Sequence, residues 1–177
     1  MRKKLLIFFS VLFVITIGLC SCKTNNGGLS NRSVKPVPEV NPAALITTDD
    51  VVAVAGYVPV IEESGTVRDG NMATVLYRSE PIGQHDTVKV KVTQFTDSVT
   101  KDEISKQYEN AKEKRPSAEI VPSMGQEAYI AFPSIVVFDR GCIIEITAGS
   151  GAGQEQKDML KSFANIAAGR IEEMISE

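Results

Sequence analysis

Residues 87–95 read TVKVKVTQF, and this stretch decides the fold because apolar and polar side chains alternate along it. Val88, Val90 and Val92 share one side of an extended chain, while Lys89 and Lys91 share the other. A period of two is typical of a strand in an antiparallel sheet that has one buried face and one solvated face. The sequence therefore predicts such a sheet at the centre of the domain.

The residues before this strand predict a short helix followed by strands. Thr47 is placed to cap the helix, Asp50 completes a capping box, and Gly56 suits a left-handed helix end. Pro59 then indicates an edge strand, because proline has no N–H to donate to a neighbouring strand. The dipeptide Asp69-Gly70 predicts a hairpin turn into the next strand.

The residues after the strand follow a similar plan. Thr100 and Glu103 form a second capping box, and Pro116 ends the helix that this box starts. A tight turn, Asp139-Arg140-Gly141, is predicted to join the last two strands. The strands are predicted over residues 119–121, 127–132, 135–138 and 142–148, and a long amphipathic helix over residues 154–175.

Strands therefore occur in runs between helices, and this order is typical of an α+β domain. We predict a single α+β domain over residues 43–177. Its sheet is expected to be largely antiparallel, with about six to seven strands, and to be packed by two longer helices and one short helix.

The N-terminus has the pattern of an export signal. Arg2, Lys3 and Lys4 precede residues 5–19, which read LLIFFSVLFVITIGL and carry no charge. A membrane-spanning helix needs about 20 apolar residues, so this run is short for a span. The basic residues are expected to stay on the cytoplasmic side, which places the rest of the chain outside.

Residues 19–22 read LCSC and resemble the bacterial lipobox, in which a small residue stands directly before a lipidated cysteine. The resemblance implies a signal peptide over residues 1–21, cleavage between Ser21 and Cys22, and a diacylglyceryl group on the Cys22 sulfur. Two or more acyl chains hold a protein stably at a membrane. The alternative is an uncleaved signal anchor with an inert cysteine.

The expected location is therefore the extracytoplasmic side of the cell membrane. This is the outer leaflet of the plasma membrane, or the periplasm and outer membrane if the host has two membranes. Residues 22–42, rich in Asn, Gly, Ser and Pro, predict a flexible tether between lipid and domain, with an edge segment packed on the domain as the alternative.

The charge of the chain limits its partners. The whole sequence carries a net charge of −3, and removal of residues 1–21 leaves 22 acidic and 16 basic groups, a net charge of −6. This balance disfavours nucleic-acid binding and adhesion to anionic headgroups. The lipid alone is therefore expected to hold the protein at the membrane.

Few residues are candidates for chemistry. Cys142 is the thiol left after cleavage and lipidation, and its apolar neighbours favour a buried role over a nucleophilic one. His85, the only histidine, lies in a polar turn. The glycine-rich loop 149–153 lacks the third glycine of a dinucleotide site, and Ser98 with Lys101 lacks the other elements of penicillin-recognising enzymes. We expect no catalytic residue, no metal site and no cofactor.

The favoured interpretation is a non-catalytic module that binds a protein, an envelope polymer or a small ligand. A structural or assembly lipoprotein is one alternative, and a small enzyme with a site dispersed along the sequence is another. Residues 122–129, PSMGQEAY, are similar to a segment of small uncharacterised bacterial lipoproteins, and this resemblance implies no activity.

Overall fold

A computed structural model describes residues 38–61, 66–79 and 87–176. The predictions for residues 1–37 lie outside the described residues; they comprise the signal peptide, the cleavage site at Ser21, the lipidated Cys22 and most of the tether. His85 lies outside them as well. None of the helices in the described ranges combines the length and the apolar character needed to cross a membrane.

The described residues form four helices and eight strands. The helices are α1 Pro42–Leu45, α2 Thr48–Ala55, α3 Lys101–Glu113 and α4 Gln154–Ser176. The strands are β1 Pro59–Ile61, β2 Val67–Asp69, β3 Met72–Ser79, β4 Thr87–Gln94, β5 Glu119–Ile120, β6 Glu127–Ala131, β7 Ser134–Asp139 and β8 Cys142–Ala148.

The strands form one sheet in the order β1-β3-β4-β8-β7-β6-β5, with β2 also paired to β3. Every pairing is antiparallel. The central pair, β4 and β8, comes from distant parts of the chain, with Val90 opposite Ile146. The predicted single α+β domain with a largely antiparallel sheet is therefore confirmed.

One face of this sheet forms the main core. Val88, Val90 and Val92 of β4 are each at most 1% exposed, as their alternation with polar residues predicts. Helix α4 packs on this face, and α1 and α2 contact α4. Full burial of a Leu, Ile, Val or Phe side chain contributes about 1.5–3 kcal/mol, so this layer is the main source of stability. The α4 side chains buried in it are Leu160, Phe163, Ala164, Ala167 and Ile171.

Helix α3 packs on part of the opposite face, which we call the outer face. Tyr108 of α3 lies against Tyr129 of β6 and Phe138 of β7, with ring centroids 5.4 and 5.3 Å away. Lys89 of β4 is on the same face and is exposed to solvent. The outer face is therefore covered at one end by a helix and open elsewhere.

The last residues of the predicted tether belong to the domain. Val40 is 1% exposed, its N–H donates to Gln94 Oε1 at 2.8 Å, and Gln94 Nε2 donates to the Pro38 carbonyl at 3.1 Å. Arg68 donates to the Val40 carbonyl at 3.2 Å. Pro38 and Val40 therefore contact the domain although they precede the predicted boundary between residues 42 and 43. One buried valine and a side-chain amide fix a segment that has no periodic pattern for the sequence to reveal.

Candidate functional site

A cleft of about 540 Å³ opens at the C-terminal end of α3, and we call it the α3 cleft. It lies between residues 114–117, which follow α3, and the Phe132-Pro133 turn that joins β6 to β7. Apolar atoms form much of its surface, and Phe132 is 37% exposed. The apolar lining residues are Pro116, Ile130, Ala131, Phe132 and Pro133.

Two cations line the same cleft. Lys114 is exposed and has no ion pair with any other described residue. Arg115 Nη2 lies 3.3 Å from Glu145 Oε1, and Lys91 Nζ lies 2.8 Å from Glu145 Oε2. Because two cations share the single Glu145 carboxylate, a positive charge remains uncompensated beside the cleft.

The surroundings of Glu145 keep it ionised. Burial acts to raise the pKa of its carboxyl, but the hydrogen bonds and charges of Lys91 and Arg115 outweigh burial, so the pKa lies below its ordinary value. The Arg115 guanidinium also lies over the Tyr129 ring, with Cζ 5.8 Å from the ring centroid, which is within cation–π range. A carboxylate and an aromatic ring thus hold Arg115 in place.

Glu119 is the only carboxylate among the residues that line the α3 cleft. Its side chain accepts a hydrogen bond from Lys157 of α4, and this bond is the main cause of a lowered Glu119 pKa. The charge of Glu119 is therefore compensated from the α4 side of the sheet.

A row of mostly polar residues on the outer face leads into the cleft. Lys89, Thr147, Ser134 and Ala131 lie opposite one another on the adjacent strands β4, β8, β7 and β6. The Ser134 and Thr147 hydroxyls are hydrogen-bonded at 2.7 Å, and both Ser134 and Ala131 line the cleft. Opposite residues are about 4.5–5.5 Å apart, so Lys89 lies about 15 Å from the cleft floor.

Two buried phenols lie beneath α3. The Tyr108 and Tyr129 hydroxyls have no hydrogen-bond partner of normal geometry among the described residues. Burial raises the pKa of both groups, and the nearby Arg115 charge only partly opposes this for Tyr129. Both phenols are therefore neutral at physiological pH and give the cleft no general base.

Cys142 is fully buried, as predicted. Burial raises the pKa of its thiol to about 12, and the Lys101 charge only partly opposes this shift. The thiol is therefore protonated at physiological pH and out of reach of a substrate, which removes the nucleophile on which an enzyme built around Cys142 would depend.

The two short motifs have structural roles. Thr100 caps α3 together with Glu103, and Lys101 places its Nζ 4.5 Å from the centroid of the Phe95 ring. In the glycine-rich loop, Gly149 has a φ of +60°, and the buried Gln156 side chain donates to the Ala148 carbonyl beside it.

Asp50 and Glu172 are two acidic residues with structural partners. Asp50 accepts hydrogen bonds from Arg170, and Arg140 lies 2.6 Å from Glu172. Within the described ranges, no group of three or more His, Cys, Asp or Glu side chains is placed to hold a metal ion.

No local pattern in the sequence marks the α3 cleft. Lys114 and Arg115 follow a helix end, where basic residues are common because they complement the helix dipole. Phe132 lies in a turn, and Glu145 alternates with apolar residues as any solvent-facing strand residue does. Only the pairing of β6, β7 and β8 beneath α3 brings these residues together.

No family model matches the chain, and no curated protein or solved structure matches it significantly. The geometry of the α3 cleft is therefore the basis on which a function is assigned.

Proposed function

We propose that the protein is a membrane-anchored extracytoplasmic lipoprotein that binds a ligand in the α3 cleft without catalysing a reaction. The lipid anchor is on Cys22, exposed by cleavage after Ser21. The observation that carries the binding role is the α3 cleft itself, which combines an exposed aromatic ring, proline surfaces and two cations in one cavity.

The size and lining of the cleft support a binding role. Its volume of about 540 Å³ falls within the range of about 300–1,000 Å³ that is usual for small-ligand sites. Such sites are mostly apolar and contain a few polar groups that fix the orientation of the ligand. Half of the lining residues here are apolar and half are polar or charged.

The anchor is supported by the N-terminal sequence alone. The charged start, the apolar run and the LCSC motif occur in the order and at the lengths that export and lipidation require. A second acyl chain changes membrane binding from marginal to stable, since each buried methylene contributes about 0.8 kcal/mol.

Mass spectrometry of protein from native membranes tests the anchor. We expect an N-terminus at Cys22 carrying acyl chains, and we expect Cys22→Ala to remain uncleaved and unacylated. Cys20→Ala is the matched control and should be processed normally. Recovery of an intact terminus at Met1 would contradict the anchor.

Site-specific photocrosslinking tests the binding role. A photoreactive amino acid replaces Phe132 at the cleft, and in the control chain it replaces Asn165, which is exposed on α4. In native membranes we expect a discrete adduct from position 132 and none from position 165. The same adducts from both positions, or none from position 132, would contradict a binding role for the cleft.

A further inference from the structure

We infer that the ligand of the α3 cleft is an organic anion with one oxyanion group, a carboxylate or a phosphate, on an apolar body. This inference rests on the proposed binding role of the cleft and adds the chemical class of its ligand. The oxyanion contacts Lys114 and Arg115, and the apolar body lies on Phe132 and the two prolines.

The residues around the α3 cleft carry a net positive charge. Two carboxylates, Glu119 and Glu145, lie at the cleft or pair with its lining, and four cations surround them: Lys91, Lys114, Arg115 and Lys157. The carbonyl end of α3 contributes the equivalent of only about half a negative charge. A positive charge therefore remains, although the chain without residues 1–21 has a net charge of −6.

Lys114 and Arg115 are both available to bind an anion. Lys114 has no ion-pair partner in the described ranges, so its ammonium can bind an anion without losing an existing contact. Arg115 is already fixed by Glu145 and the Tyr129 ring. Its planar guanidinium can donate hydrogen bonds to an oxyanion. Because the side chain is already ordered in the free protein, binding costs less conformational entropy.

The one carboxylate at the lining of the cleft is already paired with a cation. Glu119 would repel an oxyanion if it were unpaired, but Lys157 accompanies it and lowers its pKa. Ser117 adds a hydroxyl group to the same lining, whereas the Ser134 hydroxyl is already hydrogen-bonded to Thr147. The cleft thus offers donors to an oxyanion, and the charge of its one carboxylate, Glu119, is compensated by Lys157.

Phe132, Pro116 and Pro133 give the cleft an apolar surface. An inorganic anion would leave Phe132, Pro116 and Pro133 without a contact, whereas an apolar body would remove part of their surface from water. The α3 cleft therefore fits an amphipathic anion better than a bare ion or a neutral apolar molecule.

The test is a titration of the full chain in nonionic micelles, followed by amide NMR. The probes are phenyl phosphate, phenylacetate, 2-phenylethanol and inorganic phosphate. We expect phenyl phosphate or phenylacetate to shift the amides of Ser117, Ala131 and Ser134, and the tighter of the two identifies the oxyanion. The neutral alcohol and the bare phosphate should bind at least about tenfold more weakly, because each lacks one half of the interaction.

Charge variants separate the anion from general effects on the fold. Lys114→Gln should weaken binding of the tighter anionic probe roughly five- to tenfold. This is the effect expected for the loss of one charge-assisted contact that solvent partly screens. Lys106→Gln, the same change at an exposed residue within α3, should leave binding unchanged. Glu145→Gln should strengthen binding roughly two- to threefold, because it removes a negative charge beside the cleft while the amide oxygen can still accept from Arg115, and a damaged fold cannot produce that gain.

The outcomes distinguish the two proposals. Equal binding of 2-phenylethanol, or equal effects of the Lys114 and Lys106 variants, would overturn the anionic class while leaving a cleft that binds ligands. A titration in which no probe shifts the cleft amides would also overturn the anionic class. The adduct at position 132 then decides separately whether the cleft binds a partner of another kind.

Discussion

Asp50 connects two parts of the chain that are far apart in the sequence. Its Oδ2 accepts hydrogen bonds from the Thr47 N–H and hydroxyl, both at 2.7 Å, and so closes the capping box of α2. The same carboxylate accepts two hydrogen bonds from Arg170 of α4, one of them 3.0 Å long at Oδ1. One side chain therefore caps α2 and joins it to α4.

We predict that Asp50→Asn costs about 1–3 kcal/mol of unfolding free energy at neutral pH, because it weakens the cap and leaves Arg170 without its counterion. The matched control is Glu103→Gln, which changes the equivalent residue of the exposed α3 box and should have a smaller effect. Denaturant unfolding measures both variants, and equal losses would contradict a special role for Asp50.

The same contact predicts a pH dependence. Burial acts to raise the Asp50 pKa, but hydrogen bonds from Arg170 and Thr47 outweigh it, so the folded pKa lies below the ordinary value. The stabilisation is therefore fully present above about pH 4 and is lost as the pH falls through the folded pKa. In Asp50→Asn this part of the acid destabilisation should disappear, and an unchanged pH profile would contradict the assignment.

At the scale of elements, a tyrosine links the sheet to the first helices. The buried Tyr77 hydroxyl of β3 donates to the carbonyl of Ile46, which lies between α1 and α2. Burial raises the pKa of Tyr77 to about 12, so the phenol remains a donor at physiological pH. Tyr108 of α3 is equally buried, but its hydroxyl has no hydrogen-bond partner in the described part of the chain.

These two tyrosines form a matched pair of predictions. Tyr77→Phe should cost about 1–3 kcal/mol, because it leaves the buried Ile46 carbonyl without this donor. Tyr108→Phe removes a buried hydroxyl that makes no hydrogen bond, so its effect should be close to zero or stabilising. Thermal and denaturant unfolding of both variants provide the measurement, and a larger loss for Tyr108→Phe would show that its hydroxyl has a partner.

The elements themselves were largely predictable, because their signals are local. The alternation in residues 87–95, the two threonine caps and the Asp69-Gly70 turn each depend on neighbours within a few positions. The α3 cleft depends on distant pairs instead. Arg115 and Glu145 are 30 residues apart, and Glu119 and Lys157 are 38 residues apart. No local sequence pattern encodes these two contacts, because they follow from the order of the strands in the sheet.

At the scale of the whole molecule, the N-terminal segment is fixed to the middle of the sheet. Gln94 binds Val40 and Pro38 from the end of β4, which pairs with β3 on one side and β8 on the other. Val40 contributes its side chain to the core. The segment before α1 is thus an integral part of the domain.

We predict that Gln94→Ala loosens the attachment of this segment while the sheet remains folded, because the backbone of β4 keeps both of its partner strands. Hydrogen exchange at the Val40 amide should become faster by at least about fivefold, as expected for the loss of a buried hydrogen bond of about 1–3 kcal/mol. The Val90 amide in the same strand is the internal control and should keep its protection. Equal acceleration at both amides would mean that the whole domain is destabilised.

The attachment at Gln94 also determines how a mechanical load would pass through the domain. Tension applied to the N-terminal segment enters the sheet at the end of β4, through Gln94, and at β2, through Arg68. The α3 cleft lies at the level of Lys89, five residues back along β4, and its floor is on β6, three strands away. At about 3.3 Å per residue and 4.8 Å per strand, the point of traction and the cleft are separated by roughly 20 Å. A pull on the N-terminal segment would therefore strain β4 and β2 before it reached the α3 cleft.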